Sequence, residues 1–139
     1  MVPSGVNHLP IQASGKLDIN SNGIILIPGA FGSIHEDGPD SIPAKLQEAM
    51  ETELSNLLIE AIKKPDVLLS AVCGGSLILA MGGLLEDRHA VTHHMGMGLL
   101  SATNAIPVNA RIVDDGNIVT GGGVTSGLDV ALYLVEREL

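Results

Sequence analysis

Aromatic side chains are nearly missing from this 139-residue chain, which has one Phe, one Tyr and no Trp. A core without large rings must be filled by Leu, Ile, Val, Ala and Met, and apolar residues still make up 45% of the sequence. That composition suits a parallel α/β sheet, whose strands are buried on both faces and read as continuous aliphatic runs. Cysteine occurs once, at Cys73, so no internal disulfide can form. Basic residues are scarce, 7 against 16 acidic ones, for a net charge of −9. No Lys/Arg cluster exists to contact phosphates, which argues against a nucleic-acid partner and against an anionic membrane surface. No apolar run reaches the ~18 residues of a membrane span, and no signal-peptide pattern opens the chain. The expectation is a single cytoplasmic domain in a reducing compartment, near the low end of size for a sheet with helices on both faces.

Residues 1–22 are polar and rich in turn formers, with Pro3, Gly5, Pro10 and Gly15, and read as an irregular leader; the domain proper is expected over 23–139. Ile24-Ile25-Leu26-Ile27 is a buried-strand signal that Pro28-Gly29 ends at once. After a loop to Pro43, apolar residues at Leu46, Met50, Leu54, Leu57, Leu58 and Ala61 recur at helical spacing through Lys63. The acidic residues between 36 and 60 read as a solvated helix face. A second strand over 66–72 and a helix to about Leu85 complete the alternation of a parallel sheet. Further on come a short strand at 89–92, a weak helix or ordered loop over 96–105, and two strands flanking Asp114-Asp115-Gly116-Asn117, a β-hairpin turn. Gly121-Gly122-Gly123 is expected to let the backbone turn tightly. In the final helix Ser126 and Asp129 form a capping-box-like start, and Leu128, Ala131, Leu132 and Val135 share one apolar face.

The single cysteine sits where the second strand ends and a glycine-bracketed helix begins, in Ala71-Val72-Cys73-Gly74-Gly75-Ser76. A sharp strand-to-helix turn displays the side chain at its apex, and small residues let the backbone pass closely beneath. A free thiol with a pKa of about 8.5 is mostly protonated at neutral pH, and a helix N-terminus favours the reactive thiolate. The same pattern also suits a buried small hydrophobe with no chemistry.

Three ordered motifs carry a resemblance. They are residues 72–80 (Val-Cys-Gly-Gly-Ser-Leu-Ile-Leu-Ala), 83–93 (Gly-Leu-Leu-Glu-Asp-Arg-His-Ala-Val-Thr-His) and 120–129 (Thr-Gly-Gly-Gly-Val-Thr-Ser-Gly-Leu-Asp). Together they resemble the ThiJ/PfpI family of the class I glutamine amidotransferase-like superfamily, most of all its isonitrile hydratases and the ligand-binding halves of its amidotransferase-like regulators. The resemblance implies a flavodoxin-like α/β sandwich with a mostly parallel sheet. It makes Cys73 the elbow nucleophile, His93 a histidine near it, and Gly29 and Ala30 the pair whose amides, with that of Gly74, form an oxyanion hole. Gly75 and Thr92 join these as substrate-binding candidates. Gly74 stands where relatives often carry Thr or Ala, and a Thr hydroxyl there assists some isonitrile-hydrating relatives. His94 stands where hydratase-like relatives often carry Trp, which makes this pocket more polar.

Nothing before Gly23 matches the strand and helix that open the family fold and that hold an acidic residue against the nucleophile. The chain therefore reads as apparently truncated at its N-terminus. Without that strand the 24–27 strand is expected to present a free edge, covered in a homodimer or by another partner. Glu36, Asp37 and Asp40 are the local acidic candidates, and a solvated surface is the simpler reading of them. His89, His93 and His94, with His35, match no zinc spacing, and Gly121, Gly123 and Gly127 do not fit a dinucleotide-binding fingerprint. No metal and no cofactor are expected. The resemblance implies a small-molecule substrate and a cysteine-dependent reaction, either water addition to an isonitrile giving an N-substituted formamide, or glyoxalase-like or deglycase-like chemistry. A non-catalytic small-molecule or redox-sensing module, or an inactive fragment of such an enzyme, is the alternative from another class.

Overall fold

The structure is a computed structural model that describes residues 1–4, 9–35 and 37–139. Its centre is a four-stranded sheet. Strand β3 (Gly23–Ile27) lies at one edge, followed by β4 (Val67–Val72), β8 (Ile118–Gly121) and β7 (Ile112–Asp114). The pairs β3/β4 and β4/β8 are parallel, and only β7/β8 is antiparallel. The mostly parallel α/β sandwich expected from the aliphatic runs is thus present.

The two faces of the sheet are covered unequally. Val67, Leu69 and Ala71 of β4 point to one face, where α1 (Ile42–Met50), α2 (Leu54–Ala61) and α3 (Gly75–Met81) bury the main core around Leu46, Leu58, Leu79 and Ile118. On the opposite face Leu68 packs with Val119 against Val130 and Leu134 of α5 (Ser126–Glu138). The parallel register sets Ile24 beside Leu68 and Leu26 beside Ser70, on this second face. Those two side chains stay 44% and 53% exposed, since α5 packs on β8, β4 and β7 and does not extend over β3. The edge position of β3 is as expected, but its half-bare second face is not, since the aliphatic run at 24–27 read as a buried strand.

Several elements differ from the sequence reading. The leader is not wholly irregular: β1 (Val2–Ser4) and β2 (Leu9–Ile11) pair antiparallel in a fully exposed ribbon. The long helix to Lys63 is two helices. Thr52 Oγ1 donates to the Ala49 carbonyl at 2.7 Å and accepts from the Leu54 amide at 3.2 Å, while Ser55 Oγ donates to the Met50 carbonyl. These side chains compete for backbone groups and end one helix before the next begins. The first helix also starts earlier, with Ser41 as N-cap and Pro43 in its first turn, where a missing N–H costs nothing. The 96–105 segment divides into a 3-10 turn over His94–Gly96 and α4 (Met97–Ala102). The short strand expected at 89–92 is present as β5 (His89–Ala90), and it pairs in parallel with β6 (Ile106–Pro107), which the sequence did not signal. The 112–121 hairpin is present, with Gly116 at φ 78° in its turn.

Helix α5 is turned away from the expected orientation. Leu128 and Leu132 are each 72% exposed, whereas Ser126, Val130 and Leu134 face the sheet. Ion pairs fix this rotation. Arg111 binds Asp129, and Asp114 accepts from both Tyr133 and Arg137, so the polar flank of the helix is held against β7. The capping box is absent for the same reason: Thr125 is the N-cap and makes no cap bond, and Asp129 is held by Arg111.

Candidate functional site

The site is assembled at the C-terminal ends of β3, β4 and β8, where loops leave a parallel sheet. Cys73 follows β4 directly and has φ 54°, a left-handed conformation that a residue with a Cβ adopts at a cost of about 1–2 kcal/mol. Four hydrogen bonds hold it there. Its N–H donates to the carbonyls of Gly121 and Gly122 at 3.0 and 2.9 Å. Its carbonyl accepts from Thr92 Oγ1 at 2.6 Å and from the Ser76 amide at 3.3 Å. The strand-to-helix elbow read from the sequence is therefore present, with the cysteine at its apex.

The thiol faces the turn after β3. A Cβ built on Gly29 would lie 3.2 Å from Cys73 Sγ and 2.9 Å from its Cβ, so only glycine leaves room for the thiol. The Ala30 amide nitrogen sits 3.7 Å from where a Cβ on Gly74 would stand, and the Gly74 nitrogen 3.6 Å from where a Cβ on Gly29 would stand, so the turn after β3 and the elbow pack closely with both backbone nitrogens at their junction. Amides so grouped can stabilise negative charge developing on a bound atom. Lys45 Nζ donates to the Phe31 carbonyl at 2.7 Å and ties the same turn to α1.

Two candidates serve other roles than the sequence assigned. Thr92 is 2% exposed and its hydroxyl is committed to the Cys73 carbonyl, so it positions the elbow and has no donor left for a substrate. Gly75 is buried, and a Cβ there would lie 2.6 Å from the Pro28 carbonyl oxygen, so this glycine permits the packing of α3 under the β3 turn. By contrast, a Cβ at Gly74 would meet only ordinary van der Waals contacts.

His93 is half-buried at the start of the 3-10 turn, and its Nδ1 accepts from the Met95 amide at 3.3 Å. Burial holds its pKa below the usual 6.5, and the neighbouring His94, with ring centroids 4.2 Å apart, pushes it the same way. In the neutral ring the proton therefore stands on Nε2. The ring packs on Gly123, where a Cβ would lie 3.1 Å from Cδ2. His94 is exposed. Of the acidic candidates, Glu36 lies outside the described residues, and Asp37 and Asp40 are exposed on the loop before α1. Among the described residues no group of three or more His, Cys, Asp or Glu side chains could hold a metal ion, and no helix is long and apolar enough to cross a membrane.

Sequence reasoning missed three contributors. Thr120 Oγ1 accepts from the Val91 amide at 3.0 Å and so fixes the segment that carries Thr92. Gly121 and Gly122 supply the carbonyls that hold Cys73. The glycine run at 121–123 was the available signal. None of the three has positive φ; they are small because Val130, Ser126 and the His93 ring come close.

Residues 38–137 match the DJ-1/PfpI family. Over 114 residues the chain is 48% identical to an isonitrile hydratase from Pseudomonas putida, covering 82% of this chain and 44% of that protein. Protein DJ-1 homolog A from Arabidopsis thaliana is 35% identical over 65 residues, 47% of this chain and 17% of that one. The chain thus spans less than half the length of these relatives. Among solved structures, a ThiJ/PfpI family protein from Pseudomonas syringae superposes with a TM-score of 0.61 at 36% identity, covering 68% of this chain and 38% of the other. Schizosaccharomyces pombe DJ-1 superposes with a TM-score of 0.65 at 21% identity, covering 84% and 55%, a likeness of fold.

Proposed function

This chain belongs to the DJ-1/PfpI family, and from that premise we propose that it is a cysteine-dependent enzyme adding water to an isonitrile to give an N-substituted formamide. The observation that carries the proposal is the elbow: Cys73 at φ 54°, its sulfur against Gly29, with the amides of Ala30 and Gly74 alongside. The 48% identity to an isonitrile hydratase supports the choice of substrate class.

In this reading the Cys73 thiolate adds to the terminal isonitrile carbon, forming a C–S bond, while that carbon gains a proton. The product is a thioimidate, R–N=CH–S–Cys. Water then adds across the C=N bond, with the proton passing to nitrogen, and the resulting oxygen is stabilised by the Ala30 and Gly74 amides. Collapse expels the thiolate and releases R–NH–CHO, so the sum is isonitrile plus water to formamide. His93, neutral at pH 7 with its proton on Nε2, is a proton carrier or a wall of the pocket. A carbonyl substrate attacked by the same thiolate would give a thiohemiacetal and lead to glyoxalase-like chemistry. The solvated placement of Asp37 and Asp40, which leaves neither as a partner for the thiol, favours the second reading, a non-catalytic small-molecule or redox sensor.

The test is single-turnover conversion of an aryl isonitrile by the full chain. Formamide should form with the wild type and be lost in Cys73→Ser. No formamide from the wild type, or an unchanged yield from Cys73→Ser, would defeat the proposal. A Gly74→Thr variant, whose Cβ would meet only ordinary van der Waals contacts, should raise the rate if a hydroxyl beside the thiol assists hydration.

A further inference from the structure

We propose that a second ligand site lies behind the elbow, on the backbone side of Cys73, and that it takes a small monocarboxylate. A cleft of about 310 Å³ opens there, at the small end of the range for organic-molecule sites. Its walls include Thr92 and Gly122 but not Cys73, whose sulfur points the other way, toward Gly29. The cleft is therefore separate from the face on which the thiol would meet a substrate.

Its lining has a definite chemistry. Val91, Met97 and Ala110 form an apolar side. The polar side is donor-rich, with the Arg111 guanidinium, the Asn109 amide and the Ser126 hydroxyl. Ser126 is 4% exposed, lines the cleft, and its hydroxyl makes no hydrogen bond among the described residues. Standing at the wall of an open cleft, that hydroxyl is free to donate to a ligand acceptor. Arg111 uses Nε and Nη2 on Asp129, at 2.8 and 2.6 Å, and Nη2 on Thr125. Its Nη1 has no partner among the described residues. A carboxylate is acceptor-only and would satisfy the free guanidinium edge and the Ser126 hydroxyl together, with a short apolar body against Val91 and Met97.

Occupancy of this cleft reaches the nucleophile through two bonds. Gly122 accepts from the Cys73 N–H and Thr92 donates to the Cys73 carbonyl, so a ligand pressing on either wall shifts the elbow that both hold. The site is thus placed to alter thiol reactivity without touching the thiol. The inference does not depend on isonitrile chemistry, since its readout is alkylation of Cys73.

The experiment titrates the full chain with benzoate, and with benzamide as the uncharged control, following amide NMR shifts and the rate of Cys73 alkylation by iodoacetamide. Saturable shifts at Thr92, Gly122, Gly123 and Ser126 are expected, with a changed alkylation rate and much weaker binding of benzamide. Arg111→Met and Ser126→Ala should each weaken benzoate binding about tenfold, the loss of one charge-assisted bond, while leaving alkylation without benzoate unchanged. Should Arg111→Met disturb the α5 anchor, seen as widespread shifts, Ser126→Ala and Asn109→Leu decide the matter. Three results would overturn the proposal: no saturable shift up to about 50 mM benzoate, shifts confined to Gly29, Ala30 and Gly74, or equal binding of benzamide.

Discussion

Replacing Thr92 by Val removes the hydroxyl that holds the Cys73 carbonyl while keeping the shape of the side chain. That bond is 2.6 Å long between a buried donor and the strained residue. The carbonyl would not be orphaned, because the Ser76 amide also donates to it at 3.3 Å. The loss should therefore stay at about 1–2 kcal/mol, the range of a normal buried hydrogen bond. For a chain of this length that corresponds to a fall in melting temperature of about 3–10 °C. The same energy is comparable to the cost of about 1–2 kcal/mol for holding a non-glycine residue at positive φ, so the elbow itself should relax. Alkylation of Cys73 by iodoacetamide reads that relaxation directly, and its rate should change severalfold. Thr92→Ser is the control. It keeps the hydroxyl but loses Cγ2, which lies 3.1 Å from where a Cβ on Gly96 would stand, so it should cost stability while leaving the alkylation rate near wild type. A Thr92→Val protein that melts within about 1 °C of wild type and is alkylated at the wild-type rate would refute the claim that this hydroxyl holds the nucleophile.

Other outcomes follow from the same geometry. Gly75→Ala places a methyl group 2.6 Å from the Pro28 carbonyl oxygen and should destabilise the chain by about 3 kcal/mol in urea denaturation, whereas Gly74→Ala should cost far less. His93 has a lowered pKa in the folded chain, so the unfolded chain binds its proton more readily. Its contribution is then fully present above pH 6.5 and is lost as pH falls through 6.5 toward the folded value. His93→Asn, which retains a capping acceptor, should lose less stability than wild type between pH 7 and 5.5 in denaturant titrations. Ser70 Oγ is fully buried without a hydrogen-bond partner among the described residues, so Ser70→Ala should be neutral or stabilising by up to about 1 kcal/mol in the same assay.

Where the sequence was legible, one period or one residue dominated. The runs at 24–27 and 67–72 are both parallel strands, though only the second is buried on both faces, and the change from strand to glycine-flanked helix located Cys73. The free edge of β3 was expected only through the family resemblance, whose opening strand has no counterpart before Gly23. Where it misled, polar side chains outweighed periodicity. Thr52 and Ser55 divided a continuous apolar repeat into two helices by taking its backbone groups. Arg111, Asp114 and Asp129 turned α5 so that Ser126, Val130 and Leu134, not Leu128 and Leu132, meet the sheet. Such rotations depend on pairs far apart in sequence, which no local window holds. The same limit applied at the site, where Thr92 acts through a bond to a residue 19 positions earlier.

The most direct test of the account is rapid-quench intact-mass analysis of the chain mixed with an aryl isonitrile. A single adduct of one isonitrile per chain, mapped to Cys73 and preceding release of formamide, is the expected result. Formamide formed at an undiminished rate by protein whose Cys73 has first been blocked with iodoacetamide would contradict it.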